Sequence, residues 1–530
     1  MARRLFLILS LASIISIVFL ARVWPGVWWS MLFIGPAILL GVWDLVQKRH
    51  TIQRIYPVIG HLRYWLEAIR PEIQQYFVES DVDGTPINRE FRSLVYQRAK
   101  GVRDTRPFGT IFDVYRSGSE WLNHSLAPRP AAAEESRVIF GDVQCAQPYA
   151  ASHLNISAMS YGALSSHAVL ALNHGARIGG FSHNTGEGGL SPYHLEPGGD
   201  LVWQIGTGYF GCRTKEGEFD ATLFEEKAQL PQVKMIEIKL SQGAKPGHGG
   251  ILPAAKLTEE IARIRLVSLG HDVVSPPAHT AFATPKELLQ FAGRLRNLSG
   301  GKPVGFKLCV GHRSEFLGIC KAILETGEFP DFITVDGSEG GTGAAPIEFT
   351  NSIGTPLRDG LSFVHNALVG VGVRDQIRLI GAGKVVSAFQ LIRILVLGAD
   401  TVNAARAMMF SLGCIQSRQC NANTCPTGVA TQDPQRYRQL NIQDKAQRVA
   451  KYHEATVRAL LEIVAAAGMT SPGNITRELL FRRLDGETIK NYAEIYPMLD
   501  ADCLLRENTV PNGWRSDWRM ASADQWMRGA

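Results

Sequence analysis

The sequence predicts an α/β protein built on a (β/α)8 TIM barrel, with an N-terminal transmembrane helical hairpin and helical flanking segments. The barrel is predicted because eight short apolar runs from Asn155 onward each precede a helical pattern, as in a parallel sheet buried on both faces. A doubly wound open sheet is the alternative. The eight predicted strands are 155–160, 181–184, 234–241, 272–277, 303–309, 332–337, 377–383 and 401–406.

Composition limits the class of protein. Hydrophobic residues make up 45% and charged residues 20% of the 530 residues, which is typical of a chain that buries a full core and excludes a disordered protein. Eight cysteines are too few for a disulfide scaffold of this length. The formal net charge of +6 does not call for a nucleic-acid partner, and none is expected.

The first fifty residues contain two uncharged stretches, 5–21 and 23–43, each about long enough to span a bilayer. A signal peptide and a buried core hairpin are the alternatives, but the tryptophans at the turn between the stretches favour a transmembrane hairpin. Basic residues flank both outer ends, at Arg3 and Arg4 and at Lys48 and Arg49. The positive-inside rule therefore predicts an inner (cytoplasmic) membrane protein with its catalytic domain facing the cytoplasm.

Four domains are predicted along the chain. They are the hairpin (1–50), a helical, basic juxtamembrane segment (51–150), the barrel (151–435) and a C-terminal helical extension (436–530). The basic segment is expected to face anionic membrane lipid. The long connection 190–232 is predicted to be an inserted lid or wall of the barrel.

Three cysteines in a Cys-x5-Cys-x4-Cys run follow the last predicted strand: Cys414, Cys420 and Cys425. Thiolates are soft ligands for zinc or for an iron–sulfur cluster. Zinc needs a fourth ligand, and the next histidine, His453, lies on a separate predicted helix. The run therefore favours a three-iron cluster, or a four-iron cluster with an outside ligand.

Two glycine-rich turns follow neighbouring predicted strands, and they suit a phosphate-bearing cofactor because their backbone N–H groups reach the rim of the barrel. They contain Gly340, Gly341, Thr342 and Gly343, and Gly381 and Gly383. The segment 206–211 matches G-x-G-x-x-G, but no βαβ unit surrounds it. No nicotinamide-binding fold is predicted, so electrons must come from another protein or carrier.

Ionisable side chains lie at predicted strand ends, where a cation can stabilise a reduced flavin and a second lysine can hold a carboxylate or move a proton. The ionisable candidates are Glu187, Lys239, Lys245, Lys307 and Asp336, and the neutral Gln242 lies between two of the lysines in the sequence.

The ordered motifs of residues 140–435 resemble the synthase domain of glutamate synthases. They are the segments 157–162, 182–189, 237–247, 275–277, 340–344 and 414–432. This resemblance implies FMN on the barrel rim, a [3Fe-4S] cluster on Cys414, Cys420 and Cys425, and reductive amination of 2-oxoglutarate or a related 2-oxo acid to glutamate. It implies catalytic roles for Lys245, Glu187 and Lys239, and cofactor contacts from Met159, Ser160, Gln242, Lys307, Gly340, Gly341, Thr342, Gly343, Gly381, Gly383, Ala404 and Ala405.

The chain also departs from that family. It begins with the hairpin where the classical enzyme has a glutaminase domain, so the ammonia is expected to be free or delivered by a partner. An external electron donor, a ferredoxin or a separate reductase subunit, is expected. Tyr209 stands where the family usually has an arginine, and Arg213 is the candidate replacement. The alternative functions are a related flavin and iron–sulfur amine oxidoreductase, such as an N-alkylglutamate synthase, and a membrane-tethered electron-transfer partner.

Overall fold

A computed structural model describes residues 2–526, and the chain divides into two compact units, Met1–Arg89 and Glu90–Ala530. The first unit contains helices α1 (Ala2–Leu20), α2 (Met31–Val46), α3 (Thr51–Ile55) and α4 (Gly60–Ile73), with a 3-10 turn at Pro25–Ser30 and a π-helical turn at Gln74–Val78. The segments Ala2–Leu20 and Pro25–Val46 are long and apolar enough to cross a membrane, with mean hydropathies of 2.1 and 1.7. A signal sequence passes the same test, so these helices are compatible with either role.

The second unit is organised around a closed parallel barrel. Its strands are β1 (Glu120–Leu122), β2 (Val138–Phe140), β3 (Tyr149–Ala151), β4 (Leu154–Ile156), β5 (His183–Asn184), β6 (Leu201–Ile205), β7 (Val233–Lys239), β8 (Ile251–Leu252), β9 (Val273–Val274), β10 (Val304–Leu308), β11 (Phe332–Asp336), β12 (Arg378–Ala382), β13 (Thr401–Ala404), β14 (Leu480–Arg483) and β15 (Ile489–Asn491). The barrel strands in order are β4, β5, β6, β7, β10, β11, β12 and β13, and β13 pairs back onto β4. The predicted fold class is therefore confirmed.

Helices connect these strands and pack around the outside of the barrel. They are α5 (Arg89–Lys100), α6 (Ser166–Gly179), α7 (Pro192–Leu195), α8 (Ala221–Ala228), α9 (Glu259–Arg265), α10 (Pro285–Leu298), α11 (Arg313–Thr326), α12 (Ile347–Ser352), α13 (Leu357–Gly370), α14 (Ala388–Leu395), α15 (Arg406–Leu412), α16 (Pro434–Tyr437), α17 (Ile442–Ala466), α18 (Tyr492–Ile495) and α19 (Asn512–Met520).

One predicted strand is wrong. Val273 and Val274, inside the predicted strand 272–277, form β9, which pairs antiparallel with β8 outside the barrel. The third barrel strand is instead β6, whose five residues are all buried and which lies inside the segment 190–232 predicted as a lid. Both runs are short, apolar and bounded by turn residues, so periodicity alone does not distinguish them.

The segments that flank the barrel in sequence pack against it. Helix α17 packs against α6, and His453 on α17 stacks on Phe181 with ring centroids 3.8 Å apart. Strand β1 pairs with β14, and the buried Glu120 on β1 lies 2.9 Å from Arg393 on α14. The structure thus places 436–526 on the barrel surface, while the four-domain division stays a prediction.

Candidate functional site

The loops after β7 and β11 meet closely at the carboxyl end of the barrel, where parallel barrels build their sites. The backbone N–H of Gly243 donates to Asp336 Oδ2 at 3.0 Å. A Cβ atom at Gly243 would lie 1.8 Å from the carbonyl oxygen of Gly337, so only glycine allows this approach. The contact brings Gln242 and Lys245, on the loop after β7, to the end of β11.

Four charged side chains form what we call the rim cluster: Glu187, Lys239, Lys245 and Arg265. Lys239 Nζ lies 2.9 Å from Glu187 Oε1, and both side chains are largely buried. Lys245 is 1% exposed and Arg265 is 4% exposed. A crevice beside the Lys239–Glu187 pair is also lined by Thr207, Ser241, His248 and Pro276–Pro277.

Burial and mutual charge set the protonation of this cluster. Burial alone would raise the pKa of Glu187, but the cations of Lys239, Arg265 and Lys245 outweigh it and lower the pKa. Burial lowers the pKa of Lys245 to about 8, although Glu187 acts in the opposite direction. Glu187 is therefore a carboxylate, and Lys245 changes protonation near pH 8.

The rim cluster carries more positive than negative charge. Its three cations and one carboxylate leave a formal charge of +2. The neighbouring pair Lys307–Asp336, 3.2 Å apart, adds no net charge. When Glu237 on β7 is included, four cations still outnumber three carboxylates. A buried excess of positive charge favours an anionic ligand.

Glu237 supports the cluster from inside the barrel. Its carboxylate accepts hydrogen bonds from Asn184 Nδ2 at 2.8 Å, Gln204 Nε2 at 2.7 Å and Thr334 Oγ1 at 2.6 Å. Burial opposes the charge of Lys307, but Asp336 and Glu237 outweigh it and raise the pKa of this lysine. Lys307 therefore stays charged beneath the rim.

Tyr209 is fully buried, and its hydroxyl is hydrogen-bonded to the loop that follows β9. The hydroxyl accepts from the backbone N–H groups of Thr280 and Ala281, both at 3.1 Å, and lies 3.0 Å from His279 Nδ1. His279 Nε2 in turn lies 2.9 Å from the carbonyl oxygen of Lys239. Burial lowers the pKa of His279 to about 4, so the imidazole is neutral at pH 7. Tyr209 thus braces the backbone of Lys239.

The glycine turn of residues 340–343 lies against Arg406, the first residue of α15. A Cβ atom at Gly341 would lie 1.4 Å from Arg406 Nη2, so glycine is what allows the guanidinium to reach this turn. Arg406 also lies close enough to Lys384, which follows Gly383, for the two charges to repel. Two cations beside backbone N–H groups have the donor chemistry that a phosphate requires.

The cysteine loop, residues 413–425, folds back on itself. Gln416, Arg418 and Asn423 adopt positive φ values of 59°, 58° and 59°, and the three thiols influence one another electrostatically. Lys256 Nζ donates to the carbonyl oxygens of Ala163 at 2.6 Å, Cys420 at 3.2 Å and Ala430 at 3.2 Å. Within residues 2–526, no three His, Cys, Asp or Glu side chains have metal-binding geometry. The assignment of the thiols as cluster ligands stays a prediction.

The remaining predicted cofactor residues lie at strand ends around the rim. Met159 and Ser160 follow β4, and the backbone N–H of Met159 donates to Asn184 O at 2.9 Å. Ala404 ends β13 and Ala405 caps α15. Gly343 lies near Cys420, since a Cβ atom there would be 3.6 Å from the Cβ of Cys420. The cysteine loop therefore borders the glycine turn.

The sequence did not predict three buried or half-buried cations near the site: Arg406, Lys256 and Arg265. Arg406 lies two residues after the end of the last barrel strand, and parallel barrels place functional residues at such strand ends, so its position is a usable sequence signal. Lys256 and Arg265 lie in the connection between β7 and β10, where no motif marks them. The guanidinium of Arg265 lies 5.2 Å from the ring centroid of Phe210, and that of Arg213 lies 5.7 Å from it.

Comparison with known proteins identifies relatives. A family model described as the conserved region in glutamate synthase matches residues 127–470. A glutamate synthase large subunit-like protein of Bacillus subtilis is 37% identical over 502 residues, which cover 86% of this chain and 95% of that protein. An archaeal-type glutamate synthase [NADPH] of Thermotoga maritima is 33% identical over 316 residues, 59% of each chain, so this chain spans about three fifths of that relative.

Likeness to solved structures is weaker. The flavin-binding domain of flavocytochrome b2 from baker's yeast covers 86% of this chain at 11% identity, with a TM-score of 0.42. The barrel fold is established by the strand pairings of the chain itself.

Proposed function

The chain belongs to the glutamate synthase family, and from this membership we propose that it reductively aminates 2-oxoglutarate or a related 2-oxo acid with FMN and an iron–sulfur cluster. Membership supports a glutamate synthase-type oxidoreductase. The observation that supports a 2-oxo acid as the substrate is the excess positive charge of the rim cluster. A 2-oxo dicarboxylate is an anion that matches this charge.

The proposed binding of FMN rests on the two glycine turns. The turn at 340–343, Gly381, Gly383, Lys384 and Arg406 would hold its phosphate, because they supply backbone donors and two cations in one place. Met159, Ser160, Gln242, Lys307, Ala404 and Ala405 would border the rest of the cofactor. When bound, FMN supplies the hydride that an imine carbon needs.

The proposed [3Fe-4S] cluster rests on the donor set of the cysteine loop. Cys414, Cys420 and Cys425 offer three soft thiolates, and the cations Lys256 and Arg406 lie within electrostatic range of them. Such a cluster would carry electrons from an external donor, a ferredoxin or a reductase subunit.

The residues of the rim cluster would perform the binding and proton transfer. Lys239 is held in place by Glu187, while Lys245 has no carboxylate partner within 4.0 Å among the described residues. A lysine with a pKa of about 8 holds a substrate carboxylate as an ammonium, and it releases a proton to a developing amine more readily than an ordinary lysine does. Arg265 adds a permanent positive charge.

The localisation proposed for the chain follows from its N-terminal helices. The segments Ala2–Leu20 and Pro25–Val46 would span the inner membrane as a hairpin, with the basic residues at 3–4 and 48–49 and the barrel in the cytoplasm.

Anaerobic stopped-flow spectroscopy tests this function. Photoreduced protein should reoxidise on addition of 2-oxoglutarate plus ammonium, and slowly or not at all with either reagent alone. Reoxidation only by other oxo acids or alkylamines would favour the related amine oxidoreductase. Absence of reoxidation by any member of such a panel would reject substrate turnover and favour an electron-transfer role.

A further inference from the structure

Helix α4 and the π-helical turn that follows it form one amphipathic element. At ~100° per residue most of its apolar side chains fall within an arc of about 120°, and most of these are exposed. We call this surface the apolar stripe: Ile59, Leu62, Trp65, Leu66, Ile69, Ile73, Tyr76 and Phe77. Exposed apolar surface of this extent marks an interaction site.

The side of α4 next to one edge of the stripe is polar. Arg63 and Glu67 form an exposed ion pair of 3.0 Å, and Arg70 lies on the same side. Basic residues also precede the helix, at Lys48, Arg49 and Arg54. An apolar stripe with basic residues beside it is typical of a helix that lies in the interface of an anionic membrane.

A buried polar joint fixes the start of α4 to the end of α2. Asp44 on α2 is 0% exposed. Its carboxylate accepts from the backbone N–H of Val58 at 2.9 Å and lies 2.8 Å from His61 Nε2. His61 Nδ1 lies 3.2 Å from Gln53 Nε2 on α3. The joint therefore ties α2, α3 and α4 together.

The backbone at this joint is constrained. Val58 has a φ of 66°, which is rare for a β-branched residue, and the hydrogen bond to Asp44 holds its N–H. A Cβ atom at Gly60 would lie 2.8 Å from the Cα of Gln53, so α3 and α4 meet backbone to backbone. The direction of α4 relative to the hairpin is thus set by the joint rather than by a flexible linker.

We propose that α4 and residues 74–78 lie in the plane of the membrane surface, with the apolar stripe in lipid and the Asp44 joint as their brace. This inference rests on the proposed spanning of the membrane by α1 and α2. The occupant is the bilayer because the stripe continues from two helices whose apolar side chains are themselves exposed. Trp65 and Tyr76 are residues enriched at the bilayer interface.

Photo-crosslinking in the full chain tests this placement. A benzophenone amino acid is introduced at Leu66 on the stripe or at Glu67 on the polar face, and the protein is reconstituted in nanodiscs of phosphatidylcholine and phosphatidylglycerol. Leu66 should give several-fold more lipid adducts than Glu67, as measured by mass spectrometry. Adducts of Leu66 to a second copy or to another part of the chain, with few to lipid, would overturn the proposal.

A third position, Leu9 on α1, separates this test from the proposed hairpin. Lipid adducts at Leu9 but not at Leu66 would reject the interfacial helix and keep the hairpin, whereas no adducts at Leu9 would reject the hairpin itself. Asp44→Ala should lower the lipid adducts at Leu66 several-fold and leave those at Leu9 unchanged, and Asp44→Asn should restore part of the loss. Unchanged adducts at Leu66 in Asp44→Ala would reject the brace.

Discussion

Glu187 and Lys239 form a buried ion pair, 2.9 Å from Oε1 to Nζ, across a barrel strand that separates them. Glu187 follows β5 and Lys239 ends β7, so β6 lies between them. The pair links two loops at the carboxyl end of the barrel. Among the described residues, Lys245 and Arg265 are the cations of the rim cluster with no carboxylate within 4.0 Å, and Arg265 donates to the carbonyl oxygen of Tyr161 at 3.3 Å.

Glu187→Gln should have opposite effects on stability and on ligand affinity. Removal of one partner of a buried pair leaves Lys239 unpaired, which costs about 3 kcal/mol of unfolding free energy. The affinity for 2-oxoglutarate should rise, because the negative charge that competes with the ligand is gone. Urea unfolding and calorimetric titration measure the two effects. Glu454→Gln, which breaks an exposed helix pair, is the control and should change stability by no more than about 0.5 kcal/mol.

Lys245→Met should weaken the binding of the oxo acid about ten- to a hundredfold, because loss of a charge-assisted contact costs about 1.5–3 kcal/mol. The flavin content should stay near that of the native protein. Lys234→Met is the matched control, since Lys234 is paired at the opposite end of β7, and it should bind normally. Equal affinity of Lys245→Met and the native protein would remove Lys245 from the site.

The pH dependence of binding should report the lowered pKa of Lys245. The ammonium is present below a pKa of about 8 and is lost above it, so the affinity for the oxo acid should fall as the pH rises from 7 to 9. In Lys245→Met this fall should largely disappear. A native profile that stays flat through this range would contradict the assignment.

Cys420→Ala should lose iron while it keeps flavin, because the cysteine loop and the glycine turns are separate segments. Iron analysis and the visible spectrum measure both. Cys320→Ala is the control: Cys320 is a buried residue of α11, and its loss should leave the iron content unchanged. Full retention of iron in Cys420→Ala would reject the proposed cluster ligand.

Tyr209→Phe should lower the unfolding free energy by about 1–3 kcal/mol, because the backbone N–H groups of Thr280 and Ala281 would both lose the hydroxyl that accepts their hydrogen bonds. Tyr115→Phe, at an exposed tyrosine, should have little effect in the same thermal unfolding experiment. A neutral Tyr209→Phe would show that the hydroxyl does not brace the loop.

The barrel could be predicted from the sequence because each buried parallel strand is a short, nearly continuous run of apolar residues. The sequence prediction misplaced one strand because β6 and β9 have similar composition, and only the closure of the barrel decides between them. Glu187, Lys239 and Lys245 lie together in the structure. They could be predicted because each one ends or follows a strand, and this position can be seen in the sequence.

Residues that depend on tertiary packing could not be predicted. Arg265 enters the rim cluster from a helix in a long connection, and Lys256 joins two loops that are distant in sequence. The resemblance places Tyr209 where the family usually has an arginine. The structure instead turns its hydroxyl toward backbone N–H groups, and the position of a side chain relative to such groups has no local sequence signature.

A single-turnover experiment with labelled ammonium tests the proposed reductive amination. Protein reduced under anaerobic conditions is mixed with 2-oxoglutarate and 15N-ammonium, and the amino acid product is quantified by mass spectrometry. If the chain reductively aminates 2-oxoglutarate, 15N-labelled glutamate should form in proportion to the reduced flavin, with much less from Lys245→Met. Complete reoxidation of the flavin without labelled amino acid, or no reoxidation with any 2-oxo acid, would contradict it.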